Sequence, residues 1–347
     1  MFEKSRETRS LIKTLGNIDI INIIQHRSHP DQATYIGSGK IEELRQIIGN
    51  KRIAIVIIND LVNHGQLFRL TQALWPTNRQ IRVWDRIDLI LNIFDKHANT
   101  AEAKVQIEIA RMRHMGPQIY GLGGTYFSRQ GAGIGTRGLG ETNIELMKRH
   151  WRNQIKKKTE ELKRLIVHRQ QQLDRRKQNG LQTVSIVGYT NAGKTSLFNL
   201  LTKKNKAVKN ALFVTLDSTT GKLFLPKLKE EIIVTDTIGF IQDLPPTLVD
   251  AFRSTLLESV NADLVVHLID VDDEKRDNKI EIVNEILSGI GSLKNKQLFV
   301  FNKSDTLDKK QKKQLTHNYH YLNPIFISVK ENVGIEQLIE RVEKELF

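Results

Sequence analysis

"GYTNAGKT" occupies Gly188 to Thr195, directly after the apolar run "TVSIV" and directly before the helical stretch "SLFNLL". The spacing is GxxxxGK[ST] at a strand-to-helix junction, the context in which that pattern has mechanical meaning. Glycines let backbone amides turn inward around phosphates at a helix N-terminus, while the lysine and the hydroxyl supply a charge and a metal ligand. Gly188, Tyr189, Thr190, Asn191, Ala192, Gly193, Lys194 and Thr195 are thereby assigned to a nucleotide, with Lys194 at the β- and γ-phosphates and Thr195 on Mg²⁺. An ordinary turn between strand and helix is the competing reading, and this context leaves it little room.

Outward from that loop, "TVSIVGYT", "EIIVTDT", "DLVVHLID", "QLFVFNKSD" and "NPIFISVK" are apolar runs separated by helical segments. This alternation predicts a doubly wound, mostly parallel α/β sheet with helices on both faces, beginning near Leu181. The P-loop then sits at the carboxyl end of the first strand, where ligands of such sheets bind.

Further motifs follow in order. "DTIG" ends the second run, placing the Asp236 carboxylate behind the metal, Thr237 and Ile238 beside it, and the Gly239 amide where a γ-phosphate is sensed. "NKSD" ends a later run, contributing Asn302, Lys303, Ser304 and Asp305; a carboxylate there accepts from the ring N–H and exocyclic amine of guanine, which adenine cannot offer. "SVK", Ser328, Val329 and Lys330, would back the base with main-chain amides. A threonine that closes over Mg²⁺ completes the set, and "LFVTLDSTTG" offers Thr215, Thr219 and Thr220, among which composition does not choose. GTP or GDP is the expected ligand. Lys194, Thr195, Asn191 and Gly239 are the candidate catalytic residues.

Phe240 follows DxxG, where many GTPases place a glutamine that orients the attacking water. An apolar side chain cannot do this, so slow intrinsic hydrolysis is expected, completed by a partner or by K⁺ held at Asn191. For Asn191, capping a turn is an equally good account.

Upstream, Ile20 to Phe94 alternates short apolar runs ("IDIINII", "RIAIVIIND", "QIRVWD") with amphipathic stretches ("IEELRQII", "GQLFRLTQAL"). These predict βαβ units around a small parallel sheet. Two long helical patterns follow, Ala98 to Met115 and Thr142 to Lys177, bracketing a glycine-rich stretch. An antiparallel helical hairpin with a flexible tip is the simplest geometry. The expected domains are therefore 1–97, a small α/β unit; 98–179, the hairpin with its loop at 121–140; and 180–347, the nucleotide domain. "GSGK" at Gly37 to Lys40 lacks the length and hydroxyl of a phosphate loop and reads as a helix-starting turn.

Lys148 to Lys177 carries twelve Lys or Arg against three acids. A solvated face is the ordinary explanation of a short charge run, but this imbalance extends along a whole helix whose like charges repel. The chain of 347 residues has 53 basic and 39 acidic side chains, a net charge of +14. Nucleic acid is the first polyanion to consider and an anionic membrane surface, touched peripherally, the second. There is no cysteine, which excludes disulfides and zinc knuckles. The polar start "MFEKSRETRS" and the absence of any spanning apolar run predict a cytoplasmic protein. The ten histidines lack HxxxH or HExxH spacing and read as surface or core residues, not metal ligands.

On "IGSGKIEEL" (Ile36 to Leu44), "LILNIFDKHANTAEAKVQIEIARMRH" (Leu89 to His114), "GIGTRGLGET" (Gly133 to Thr142), the P-loop, "LFVTLDSTT" and "DTIGFIQDLPPTLVDAFRSTL" (Asp236 to Leu256), the chain resembles the HflX family of ribosome-associated GTPases over most of its length. The resemblance implies a hairpin that docks on the large ribosomal subunit and members that split stalled or idle ribosomes. It implies a nucleotide role for Phe213, Val214, Thr215, Leu216 and Asp217, with Thr215 as the second Mg²⁺ ligand. It also implies activation by the ribosome, in keeping with Phe240. Glycines would let the hairpin tip approach RNA closely, with Arg129, Arg137, Lys148, Arg149 and Arg152 on ribosomal RNA phosphates. Tyr120, Tyr126 and Phe127 would stack on bases or fill the hairpin's own core.

Several residues depart from the family pattern: Leu139 and Ser218 stand where prolines are usual, Gly221 where an arginine is, and "SVK" replaces "SAK". The resemblance further implies a strand before the first helix and, in many members, a small domain after the last; a short form is expected to bind ribosomes less tightly. The rival functions are an RNA-binding ribosome-assembly factor using GTP as a latch and a tRNA-modification type of GTPase. A monomer is the expected state.

Overall fold

The computed structural model describes residues 2–16, 18–130, 137–204, 219–237, 239–240, 248, 257–291 and 295–347, apart from the side chains of 2–4, 6, 117–144 and 257–258. The chain divides into two compact units, Met1–Lys96 with Val105–Leu162, and His97–Lys104 with Lys163–Phe347.

The first unit begins with α1 (Phe2–Leu15), followed by α2 (Ser38–Asn50), β1 (Ile55–Ile57), α3 (His64–Leu74), β2 (Arg82–Trp84) and α4 (Arg86–His97), whose last residue already belongs to the second unit. β1 and β2 pair in parallel, Val56 opposite Val83, as the βαβ pattern requires. Amphipathic spacing puts Ile41, Leu44 and Ile48 of α2 and Leu67, Leu70 and Leu74 of α3 into one core with the two strands. α4 buries Leu89, Ile90, Leu91, Ile93 and Phe94, a nearly continuous apolar run that only a helix covered on several sides can hide. Gly37 caps α2, so "GSGK" is the helix-starting turn its sequence suggested.

"IDIINII" is the correction in this unit. Residues 18–27 form no ladder, and Ile18, Ile21 and Ile24 are exposed. Four of its five isoleucines come in adjacent pairs and present no single face, and an apolar run makes a strand only where a neighbouring edge takes up its backbone bonds.

α5 (Ala101–Gln130) and α6 (Arg137–Gln178) are the two long helices. Trp151 Nε1 donates to the Met112 carbonyl at 2.9 Å, Lys158 pairs with Glu108 at 3.0 Å and Arg169 with Glu102 at 3.0 Å, so the helices run antiparallel. The helical backbone passes through Gly121, Gly123 and Gly124 and resumes at Arg137, leaving 131–136 outside the described residues. The interruption is shorter than the sequence suggested, since glycine weakens a helix by about 1 kcal/mol per residue without blocking it.

The second unit holds a six-stranded sheet of β3 (Thr183–Gly188), β4 (Thr219–Leu225), β5 (Glu230–Asp236), β6 (Leu264–Asp270), β7 (Lys296–Asn302) and β8 (Ile325–Phe326), ordered β4-β5-β3-β6-β7-β8. All neighbours are parallel except β4 and β5. The five expected strands are present; β4 is the one not anticipated, its alternation of buried Gly221, Leu223 and Leu225 with exposed Lys222 and Phe224 being that of an edge strand. α7 (Lys194–Thr202), α8 (Arg276–Ile290), α9 (Lys309–Asn318) and α10 (Ile335–Leu346) cover the sheet. A Cβ on Gly221 would stand 2.6 Å from Thr202 Cγ2, so β4 runs too close to α7 for the arginine the resemblance expects. Among the described residues no helix is long and apolar enough to cross a membrane.

Candidate nucleotide-binding site

β3 ends at Gly188 and α7 begins at Lys194, so the loop between them lies at the carboxyl edge of the sheet. Its backbone is held open by residues with positive φ: Gly188 at 148°, Asn191 at 67° and Gly193 at 97°. Gly193 also lets Asn302 approach, since a Cβ there would stand 2.4 Å from Asn302 Nδ2. Asn191 is exposed and left-handed, the turn-forming conformation its residue type tolerates.

Lys194 lies along the inside of this loop, its Nζ donating to the carbonyls of Gly188 at 3.0 Å and Tyr189 at 2.8 Å. Burial pushes its pKa down to about 8 against the opposing pull of the Asp236 carboxylate. Thr195 Oγ1 donates to Asp236 Oδ2 at 3.0 Å, bringing together two residues the sequence placed at the metal. Thr237 is buried and turned away from the loop, donating to the Ile186 carbonyl at 2.7 Å, so its role is to fix the end of β5.

After β5 the chain returns across the loop. Phe240 N–H donates to the Gly188 carbonyl at 3.2 Å, and Thr190 N–H donates to the Phe240 carbonyl at 2.8 Å, a parallel bridge that prolongs the β3–β5 pairing. The Phe240 ring is 2% exposed, an anchor and not a water-facing group. Thr190 is buried at 8% exposure.

NKSD and SVK lie at the end of β7 and in the turn after β8. Asn302 donates to the Ala192 carbonyl at 2.8 Å and accepts from the Val329 N–H at 3.2 Å, which ties NKSD to both the P-loop and SVK. Ser328 Oγ donates to Asp305 Oδ1 at 2.5 Å, the first cause of the lowered Asp305 pKa, and leaves an exposed carboxylate aimed away from the core. Lys303 adopts φ 64° and pairs with Asp270 at 2.5 Å; Ser304 N–H donates to the Ile327 carbonyl at 3.0 Å; Lys330 is paired with Glu331 at 3.1 Å.

Three contributors were not anticipated. Asp270, in register with Asn302, anchors Lys303. Lys279 lies 4.3 Å from the Tyr189 ring centroid, a cation–π contact on the outer side of the loop. His267 is buried in β6, and burial with the Lys194 charge pushes its pKa down to about 3, so it stays neutral. The strand-end position of Asp270 was the one available signal.

Thr219 and Thr220 open β4, opposite Asp236 and Thr235. Phe213, Val214, Thr215, Leu216, Asp217 and Ile238 lie outside the described residues, as do the side chains of Tyr120, Tyr126, Phe127, Arg129 and Arg137. Arg149 and Arg152 are exposed on α6 and Lys148 is half-buried.

The comparisons with known proteins agree with this geometry. Residues 3–95 match a family profile described as "GTP-binding GTPase N-terminal", 97–176 one described as "GTP-binding GTPase Middle Region", and 183–303 one described as "50S ribosome-binding GTPase". The GTPase HflX of Caldanaerobacter subterraneus subsp. tengcongensis is 42% identical over 99% of this chain and 77% of that protein. The chain belongs to the HflX family of GTPases. The HflX of Escherichia coli K12 is 34% identical over 99% of the chain and 79% of its own length. Among solved structures, the complex of SsGBP with GDP superposes with a TM-score of 0.58 at 26% identity, covering 99% of this chain and 94% of that one. A GTP-binding protein from Sulfolobus solfataricus bound to GDP gives 0.54 at 25% identity, covering 99% and 96%. The doubly wound sheet expected from the alternating apolar runs is the fold observed, and its P-loop, DxxG and NKxD segments meet at one edge of one sheet.

Proposed function

We propose that this GTPase hydrolyses GTP slowly alone and rapidly on the large ribosomal subunit, and that it splits or rescues stalled or idle ribosomes. The observation that carries the reading is Phe240: its ring is 2% exposed, so the position after DxxG is committed to packing and water must be oriented from elsewhere.

The chemistry proposed for each residue rests on its motif and, where it is described, on its contacts. Lys194 neutralises the β- and γ-phosphates, exchanging its two carbonyl partners for phosphate oxygens. Thr195 Oγ1 is an oxygen donor of the kind Mg²⁺ takes and the Asp236 carboxylate stands behind it, so these residues fit the ion. Bound Mg²⁺ would neutralise charge on the β- and γ-oxygens, and Thr215 is assigned as its second hydroxyl ligand. Gly239 N–H would sense the γ-phosphate. Asp305 would select guanine, with the Ser328–Lys330 turn backing the base. Asn191, exposed at the mouth of the loop, is the residue to hold K⁺ if a monovalent cation assists.

Three functional parts, 1–97, 98–179 and 180–347, follow from this reading. The hairpin supplies the ribosomal contact, its tip with Arg129 and Arg137 at the peptidyl-transferase region and Lys148, Arg149 and Arg152 on RNA phosphates. The description of the profile matched by residues 183–303, and the excess of bases along α6, support a ribosomal partner. A cytoplasmic monomer is the form in which this would operate.

GTP turnover measured alone and with large subunits, in potassium and in sodium buffer, tests the reading. Strong stimulation by the subunit is expected, lost on deleting 121–140 with GTP affinity retained. Rapid ribosome-independent turnover would refute it.

A further inference from the structure

In the first unit two aspartates three residues apart meet a histidine from a later helix. Asp85 precedes α4, Asp88 lies in its first turn and His114 comes from α5. His114 Nε2 stands 3.3 Å from Asp85 Oδ1 and 3.4 Å from Asp88 Oδ1, and the three groups are 10%, 1% and 19% exposed, respectively. A ligand atom from each lies within 4.8 Å of the others.

We propose that Asp85, Asp88 and His114 bind a first-row divalent metal ion such as Zn²⁺ in this unit, separately from any Mg²⁺ at the nucleotide.

Spacing is the first argument. Nitrogen and oxygen ligands about 2.0–2.1 Å from a tetrahedral ion are about 3.3 Å apart along each edge, and both His114 separations match. Orientation is the second. The Asp88 N–H donates to Asp85 Oδ1 at 2.8 Å and the Asp85 N–H donates to Asp88 Oδ2 at 3.3 Å, so the start of α4 holds both carboxylates in place. Pre-oriented carboxylates are what a metal site needs around its ligands.

The third argument is that the buried Nε2 makes no hydrogen bond of good geometry although two carboxylate oxygens lie within 3.4 Å of it. A proton on Nε2 serves them poorly; an ion between the three atoms serves all of them. Two carboxylates and one imidazolium leave a net charge of −1 in a buried place, whereas two carboxylates, a neutral imidazole and a divalent ion sum to zero. The imidazole favours Zn²⁺, Co²⁺ or Fe²⁺ over Mg²⁺, Ca²⁺ and Mn²⁺. A further imidazole, His64 at the start of α3, meets the His114 ring edge-on with centroids 4.9 Å apart.

The test uses the full chain stripped with EDTA and then saturated with GDP and Mg²⁺, so that the nucleotide's own ion position is filled. Titration with Zn²⁺, followed by calorimetry, and with Co²⁺, followed by its visible absorption, should give one equivalent. His114→Ala and Asp88→Asn should each weaken binding at least tenfold. Asp88→Asn keeps a carbonyl that accepts the Asp85 N–H, so this variant decides the matter if His114→Ala unfolds. No saturable binding, or binding that survives Asp88→Asn undiminished in a cooperatively melting protein, overturns the proposal.

Discussion

Gly239 packs directly against Lys194: a Cβ at Gly239 would stand 2.9 Å from the lysine Nζ, 2.8 Å from Thr190 Cγ2 and 3.1 Å from Thr190 Cα. Two of these neighbours belong to the loop that cradles phosphate, and one is its backbone. In Gly239→Ala the ammonium or the loop must move. GTP turnover is expected to fall by more than about tenfold, equivalent to ~1.4 kcal/mol of transition-state stabilisation, while GDP binding changes far less. Phosphate release and fluorescent-GDP titration separate the two; a variant with full turnover would show that the contact has no functional role.

Asp305 tests the base assignment. Its carboxylate is exposed and oriented by Ser328 at 2.5 Å. Asp305→Asn replaces an acceptor by an amide, leaving a guanine donor unpaired at about 1.5–3 kcal/mol per charged hydrogen bond lost. GTP affinity should fall by roughly two orders of magnitude, and xanthine nucleotides, which present a carbonyl in place of the amine, should bind better than to the parent. Equal loss for both bases would remove Asp305 from base recognition.

Lys194 sets a pH dependence. Burial lowers its pKa to about 8 in the nucleotide-free protein, below the ordinary 10.5. The unfolded chain therefore binds the extra proton between about pH 8 and 10.5, and folding stability gains from this group as pH rises through that window. Nucleotide binding works the other way, since polyphosphate restores the charge. Between those values binding should take up a proton, and the dissociation constant should rise by up to about tenfold per pH unit. Calorimetry at pH 8.5 in buffers of different ionisation enthalpy measures the uptake; none is expected in Lys194→Met.

How much of this was legible in the sequence follows from the range of each interaction. The P-loop, DTIG, NKSD and SVK are contiguous words at strand ends, so they could be read before any fold was known, and the parallel strands carrying them announced themselves as apolar runs. β4 could not be read so easily, because an edge strand alternates polar and apolar residues in a stretch that also reads as a switch segment. "IDIINII" failed in the opposite way: strand-forming residues with no edge to join. Asp85, Asp88 and His114 come together only through the packing of α4 and α5, and no local spacing relates the aspartates to the histidine. The phosphate-loop lysine was readable, but its burial, and hence its lowered pKa, was not.

The Arg169–Glu102 pair ties α6 to α5, with side chains 16% and 9% exposed. Arg169→Ala would leave a largely buried carboxylate without this partner, a class of change that costs about 3–5 kcal/mol when burial is complete and somewhat less here. A drop of several degrees in melting temperature is expected, with partial recovery in Arg169→Ala/Glu102→Gln, because the amide carries no charge to desolvate. Thermal unfolding of the single and double variants checks this; additive losses would show that the two residues act independently.

The basic face of α6 should report the partner. Arg149 and Arg152 are exposed, and their neighbours Lys156 and Lys157 are too, whereas Lys158 is held by Glu108 at 3.0 Å and Glu161 at 3.2 Å. If the exposed bases meet RNA phosphates, each contact releases counterions, and the logarithm of affinity falls with the logarithm of salt by about 0.7–0.9 per contact. Arg149→Gln/Arg152→Gln should therefore weaken large-subunit binding and flatten its salt slope by about 1–2. Lys158→Gln should leave the slope nearly as it was, because that ammonium is already paired. Sedimentation with large subunits over a salt series distinguishes the two, and an unchanged slope in the double arginine variant would place the RNA contact on another face of the protein.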